Sequence, residues 1–264
     1  MPQLGFGVWQ VPDDEAEQVV VTALEAGYRS IDTAAIYENE TGTGKALAAS
    51  GLPREELFVT TKLWNSEQGY DSTLRAFDAS LAKLGLDYVD LYLIHWPVPA
   101  KDAYVDTYRA FEKILADGRA RAIGVSNFLP EHLERLIGET SVVPAVNQIE
   151  LHPQLQQAAS REAHARHGIA TEAWSPLGQG KGLLEVPAIV AIARKHGRTP
   201  AQVVLRWHLQ VGNVVIPKSV TPSRIQENID VFDFELDAED LAAVAALDEG
   251  HRLGPDPAAF NAGA

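Results

Sequence analysis

The sequence predicts a single closed (β/α)8 barrel of the TIM type over residues 1–264. Three observations predict it. Eight β-rich runs alternate with stretches of helical period, the units are spaced nearly evenly, and no linker or low-complexity segment divides them. Such alternation implies parallel strands joined by crossover helices, and the even spacing favours closure over an open doubly wound sheet. An open sheet would also be expected to carry an intact dinucleotide fingerprint. "GFGVWQ" (5–10) starts like one but has Gln10 at the third glycine. "ETGTGKALA" (40–48) resembles a phosphate loop, yet Asn39 stands at its first glycine position and Ala46 replaces the hydroxyl that would hold magnesium.

The strands are expected in "LGFGVW" (4–9), "YRSID" (28–32), "LFVTTKL" (57–63), "VDLYLIHW" (89–96), "RAIGVSN" (121–127), "AVNQIEL" (145–151), "IATEAWS" (169–175) and "NVVIPK" (213–218). Helices are expected between them. "DDEAEQVVVTALEAG" (13–27) puts Ala16, Val19, Val20, Ala23 and Leu24 on one face and closes at Gly27, a C-cap residue. "DSTLRAFDASLAKLG" (71–85) opens with Asp71 as N-cap and closes at Gly85. "TPAQVVLRWHLQVG" (199–212) opens with Thr199 as cap and Pro200 at the first helical position.

Composition narrows the function. The 36 acidic against 22 basic residues give a formal charge of -14, which repels phosphate backbones and anionic lipid, so nucleic acid and membrane surfaces are not expected partners. An anionic ligand must be captured by a local basic cluster. The absence of cysteine excludes disulfides, thiol nucleophiles and Cys-ligated metals. The first residues, "MPQLGFGVWQVPDDEAEQ", lack a basic region and an apolar core, and no apolar run approaches the roughly 20 residues that span a bilayer. A cytoplasmic protein, monomeric for want of an apolar exposed helix face, is expected.

Barrel active sites are built where the strands end. In order, the ends carry Asp32, Lys62, His95, Ser126-Asn127, the run Asn147-Gln148-Ile149-Glu150, Trp174-Ser175 and Lys218-Ser219. Each residue alone has a structural alternative. His95 is then a core histidine satisfied by backbone, Asp32 and Lys62 a structural ion pair, and Tyr37 an ordinary rim tyrosine. Together they read as chemistry. Lys62 needs a partner at the rim of an apolar barrel, and Asp32 on the adjacent strand supplies one. Tyr37, five residues past Asp32, leans back over the same mouth, where a neighbouring ammonium lowers a phenol's pKa. Tyr37 then donates a proton while His95 polarises the acceptor oxygen. A proton donor and a polariser, without a nucleophile or metal cluster, suit reduction of a carbonyl.

Reduction needs a hydride source, and the second half of the chain offers a seat for one. Trp174 can stack on a flat ring. The glycine-rich "SPLGQGKG" (175–182) starts with Ser175 and includes Leu177 and Gly178, whose backbone can approach a pyrophosphate. Asn127 and Gln148 carry amides suited to a carboxamide. "PKSVTPSRIQEN" (217–228) places Lys218, Ser219 and Arg224 around a helix start, an anion site in an acidic chain. Two cations there favour a phosphorylated ribose, hence NADPH over NADH.

These residues are where the chain resembles the aldo-keto reductases. "LGFGVW", "GYRSIDTAAIY", "TTKLW", "VDLYLIHWP", "IGVSNF", "NQIELHP", "WSPLGQG" and "IPKSV" follow in the family's order over nearly the whole length. The resemblance implies a catalytic tetrad of Asp32, Tyr37, Lys62 and His95, with Tyr37 as general acid, Lys62 lowering its pKa, Asp32 holding Lys62 and His95 orienting the carbonyl. It implies nicotinamide bound by Ser126, Asn127 and Gln148 and stacked on Trp174. It implies a 2′-phosphate held by Lys218, Ser219 and Arg224, adenine near Glu227 and Asn228, and a substrate pocket walled by Trp9, Trp64 and Trp96. "TEAWSPLGQGK" and "ENIDVFDFEL" look closest to bacterial 2,5-diketo-D-gluconate reductases, whose resemblance adds keto-sugar acids to small dicarbonyls and aldehydes as expected substrates.

Two departures from the family carry expectations. About a dozen residues that usually precede "PQLGFG" and plug the barrel bottom as a hairpin are not in the sequence, so that hairpin is expected to be absent or encoded upstream. The tail after Gly250, "HRLGPDPAAFNAGA", is short, so an open, permissive pocket is expected. Two rival readings use the same residues. A non-catalytic NADP(H) sensor of the same fold is disfavoured by the intact tetrad, and a Schiff-base lyase through Lys62 by the nearby Asp32, which keeps the amine protonated. His164 and His167 in "EAHARHG" lack zinc spacing and a third ligand, and read as a solvated helix face.

Overall fold

The computed structural model describes residues 1–263. Its strands are β1 (Phe6–Gly7), β2 (Ser30–Asp32), β3 (Phe58–Leu63), β4 (Val89–Ile94), β5 (Ala120–Ser126), β6 (Val146–Glu150), β7 (Ala170–Trp174) and β8 (Val214–Val215). They pair in sequence order, every pair parallel. β8 returns to the start of the chain. Gly5 N donates to Val215 O at 2.9 Å, Val215 N to Gln3 O at 2.9 Å, and Gly7 N to Pro217 O at 3.1 Å. These bonds close the sheet into the expected eight-stranded barrel.

Helices α1 (Asp13–Glu25), α2 (Glu40–Ala49), α3 (Tyr70–Leu84), α4 (Tyr104–Ala116), α5 (Pro130–Glu139), α6 (Ala158–His167), α7 (Pro187–His196), α8 (Pro200–Gln210), α9 (Pro222–Ile229) and α10 (Ala238–Ala245) accompany the sheet. With helices outside and side chains inside, β4 is buried along its whole length, which is why its sequence is a continuous apolar run broken by Asp90. α1 buries the five apolar residues that its period picks out. α8 begins in a capping box, Thr199 and Gln202 each bonding the other's backbone N–H. None of the described helices is long and apolar enough to cross a membrane.

Two local expectations are corrected, and the glycines already set aside as a phosphate loop find their role. Asp71 lies inside the first turn of α3, because Gly69 at φ 125° makes the entry and Tyr70 already starts the helix. Ala26 caps α1, and Gly27 at φ 108° makes the turn one residue later. The glycines of "ETGTGK" serve packing. A Cβ on Gly42 would run into the Asp13 carbonyl and one on Gly44 into the Leu84 carbonyl, so α2 lies tight against α1 and the end of α3.

Candidate active site

The C-terminal rim of the barrel gathers four of the expected side chains. Asp32 ends β2, and the chain then folds back through a 3-10 turn, Ala35–Tyr37, that carries Tyr37 over the rim. Lys62 lies near the end of β3, and His95 follows β4, its N–H donating to Leu63 O at 3.2 Å. Lys62, fully buried, donates from Nζ to Asp32 Oδ1 at 2.5 Å and to Thr33 O at 2.9 Å. Its Nζ stands 5.1 Å from the Tyr37 ring centroid. The His95 ring meets Tyr37 edge-on at 5.7 Å and Trp64 at 5.3 Å.

Burial and charge set the proton inventory. Burial works against the Lys62 ammonium, but Asp32 and Tyr37 more than offset it and the amine is held above its ordinary value. Lys62 therefore stays charged. Burial raises the Tyr37 phenol and Lys62 pulls it back only in part. The expected lowering of Tyr37 is thus outweighed, because desolvation of a phenolate exceeds the attraction of one ammonium already shared with Asp32. Tyr37 keeps its proton throughout the neutral range. Burial, reinforced by the Lys62 charge, holds His95 well below the usual imidazole value, so the ring is neutral. Its Nδ1 is buried without a partner. A buried lone pair is cheaper to leave alone than a buried N–H, which puts the proton on Nε2.

Beneath this layer lies a residue the sequence reading passed over. Glu172, mid-β7 and 1% exposed, pairs in register with Gln148 on β6. Gln148 Nε2 donates to both Asp32 Oδ2 at 2.8 Å and Glu172 Oε2 at 2.9 Å. The signal for Glu172 was available. Two residues before Trp174 on a strand, it shares that residue's face, so an acidic side chain points into the barrel.

The other expected residues fall into three groups. Ser126 Oγ donates to Gln148 O at 2.8 Å. Asn127, left-handed at φ 64°, donates from Nδ2 to His95 O and to Ser126 Oγ, both at 3.0 Å, and its Oδ1 accepts from Trp174 Nε1 at 2.9 Å. The Asn127 amide thus ties His95 to Trp174. After Trp174, Ser175 at φ 51°, Gly178 at φ 70° and Gln179 at φ 53° form the glycine-rich loop with Leu177 inside it. Lys218 and Ser219 follow β8, and Arg224 lies on the first turn of α9. Both cations are exposed, and neither joins an ion pair among the described residues. Two free cations beside a helix start, in a chain of charge -14, fit a phosphomonoester. Glu227 accepts from Thr199 Oγ1 at 2.8 Å, and Asn228 is buried.

The tail is anchored at the mouth. Leu253 N and Gly254 N donate to Glu150 at 2.6 and 2.9 Å, Phe260 packs on Trp96 with centroids 4.3 Å apart, and Asn65 Nδ2 donates to Ala262 O at 2.8 Å beside Trp64. Short as it is, the tail reaches both tryptophans because Glu150 anchors its start. Trp96 is buried beneath it, while Trp9 stays 44% exposed. His164 is also corrected. It is buried, its ring bonding Asn147 Nδ2 and Thr171 Oγ1 at 2.8 Å each, while His167 bonds Glu134.

An eight-stranded parallel barrel with ionisable groups gathered at its strand ends defines a (β/α)8 enzyme. The sequence profile of the Aldo/keto reductase family matches residues 3–249. An aldo-keto reductase of Mycolicibacterium smegmatis is 63% identical over 261 residues, 99% of this chain and 94% of its own. Methylglyoxal reductase DkgA of Escherichia coli is 56% identical over 261 residues, 98% of this chain and 94% of its own. A solved variant of Gox0644 in complex with NADPH superposes with a TM-score of 0.94 at 55% identity, covering 98% of this chain and 94% of the other. The chain belongs to the aldo/keto reductase family, and is an oxidoreductase of carbonyl compounds.

Proposed function

We propose that this chain is an NADPH-dependent reductase of small dicarbonyls, aldehydes and keto-sugar acids, methylglyoxal and 2,5-diketo-D-gluconate among them. The observation that carries the reading is the convergence of Asp32, Lys62, Tyr37 and His95 on one mouth, with Lys62 Nζ 2.5 Å from Asp32 Oδ1 and 5.1 Å from the Tyr37 ring. The NADPH complex of a relative at 55% identity and the free cations Lys218 and Arg224 support the cofactor. The methylglyoxal reductase at 56% identity, and a mouth narrowed by Trp64, Trp96 and the tail, support small substrates.

NADPH, when bound, supplies the hydride. The chain does the rest. Lys218, Ser219 and Arg224 would hold the 2′-phosphate, the backbone of Ser175, Leu177 and Gly178 would bind the pyrophosphate, and Glu227 and Asn228 would bind the adenine. Ser126, Asn127, Gln148 and Trp174 would hold the nicotinamide. His95, neutral and protonated on Nε2, donates a hydrogen bond to the carbonyl oxygen and fixes its place. Tyr37 passes its phenolic proton to that oxygen as negative charge grows there. Lys62 stabilises the phenolate left behind, and Asp32 keeps Lys62 charged and in position. Trp9, Trp64 and Trp96 wall the substrate.

The test is the loss of NADPH absorbance with methylglyoxal, glyceraldehyde, an aromatic aldehyde and a diketo-sugar acid. The reading expects the dicarbonyl or the sugar acid to give the highest kcat/KM. NADPH binding without turnover of any of them would leave a cofactor-sensing protein instead.

A further inference from the structure

The mechanism above makes no use of Glu172, although this carboxyl is buried in the barrel lumen two hydrogen bonds from Asp32. One amide group of Gln148 is gripped from two sides, by Asp32 at 2.8 Å and Glu172 at 2.9 Å. Turning that amide over would give up the bond to Asp32 and set the amide oxygen against the Asp32 carboxylate. Its orientation is therefore fixed, with the nitrogen toward the carboxyls and the oxygen away from them. Asp32 alone would leave the amide free to swing about a single bond, and it is already engaged by Lys62.

We propose that Glu172 is a positioning residue: with Asp32 it locks the Gln148 amide so that the Gln148 oxygen is presented to the nicotinamide carboxamide. This rests on the function proposed above and adds to it a residue outside the four at the mouth. It also makes Asp32 a shared element, since one of its oxygens holds Lys62 and the other holds Gln148.

Charge in the lumen follows the same geometry. The groups facing Glu172 are Asp32 from β2, Lys62 from β3 and Tyr37 from the 3-10 turn; β6 contributes the neutral Gln148, and β8 contributes Val214 at the register position. Lys62 and Asp32 already balance, so a second carboxylate would be uncompensated. Burial first, and then the Asp32 charge, push the Glu172 carboxyl up to about 8. In the neutral range it is protonated, and its remaining carbonyl oxygen still accepts from Gln148. Ionisation above that point adds negative charge that raises Tyr37 and Lys62 alike.

The test compares wild type, Glu172→Gln and Glu172→Ala in NADPH titration by tryptophan fluorescence, in steady-state kinetics, and in thermal unfolding of the cofactor-free protein against pH. Glu172→Ala removes the acceptor, so NADPH affinity falls about five- to tenfold and the NADPH KM rises more than kcat drops. Glu172→Gln keeps an acceptor without a titrating proton. Its NADPH affinity stays within about twofold of wild type. The folded carboxyl binds its proton more tightly than the unfolded one, so wild type loses stability as pH rises from about 4.5 to about 8, and Glu172→Gln lacks that loss. The proposal is overturned by NADPH affinity in Glu172→Ala within about twofold of wild type, or by a Glu172→Gln stability profile that overlays wild type. A Tyr37→Phe control that still turns over refutes the assigned acid, while the binding and unfolding readouts decide Glu172 regardless of turnover.

Discussion

Glu150, the last residue of β6, accepts the backbone N–H of Gly254 at 2.9 Å, and so fastens the C-terminal segment beside Trp174. The same carboxylate takes Leu253 N at 2.6 Å and the His152 ring at 3.1 Å. A Cβ at position 254 would come within 2.5 Å of Trp174 Cη2. The tail, the tryptophan and the mouth are therefore one packed unit.

Gly254→Ala is expected to push the tail off Trp174 at a cost of about 1–3 kcal/mol. The measurement is the melting temperature together with the carbonyl KM. Tm falls and KM rises, while turnover at saturating substrate changes less. Unchanged Tm and KM would mean that the tail is not seated against Trp174.

Asp32→Asn leaves the Lys62 ammonium fully buried without its carboxylate. Removing one member of a buried pair costs about 3–5 kcal/mol, and the variant should lose stability of that order as well as turnover. Denaturant unfolding measures the first and NADPH consumption the second. A stable variant with a deprotonated lysine would show that the pair is not what holds Lys62.

Much of this site was legible because barrels put chemistry where strands end. The strand runs found by composition overlap all eight observed strands, and Asp32, Lys62, His95, Ser126 and Trp174 stand at or beside their C-termini. Local structure was less legible. Gly69 took the helix entry expected of Asp71, because a left-handed glycine turn outcompeted a side-chain cap. Lys62 lowers the Tyr37 phenol as expected, but burial raises it by more, because a sequence shows which charges are near but not how much of the side chain is buried. His164 looked solvated on a polar helix, and its partners Asn147 and Thr171 come from strands whose packing no local pattern reveals. The tail looked too short to reach the tryptophans of the mouth because its anchor, Glu150, lies about a hundred residues earlier in the chain.

The His95 ring predicts a pH effect on stability. It is held neutral well below the usual imidazole value, mainly by burial. Below about 6.5 the unfolded chain takes up a proton that the folded ring refuses, so this contribution is intact above that pH and lost as pH falls. His164 and His208, held at about 4 and about 3, act in the same direction. His95→Gln should therefore shallow the acid slope by up to about 1.4 kcal/mol per pH unit, one imidazole's share. Unfolding free energies between mildly acidic and neutral pH measure it, and an unchanged slope would mean that His95 is protonated in the fold.

Cofactor choice rests on Lys218 and Arg224. Replacing either with Ala should weaken NADPH about tenfold, the worth of one charge-assisted contact, and leave NADH unchanged. Fluorescence titration with both dinucleotides checks this. Equal losses for the two would place these cations at the shared pyrophosphate and not at the 2′-phosphate.

The central claim is that the Tyr37 phenol delivers the proton that completes carbonyl reduction. Tyr37→Phe removes one oxygen and leaves the ring against His95 and Lys62 in place. Its NADPH affinity should match wild type, while turnover of methylglyoxal falls at least about a hundredfold, the share a positioned general acid contributes. Turnover within a few-fold of wild type, with binding intact, would contradict the account and move the acid to another group at the mouth.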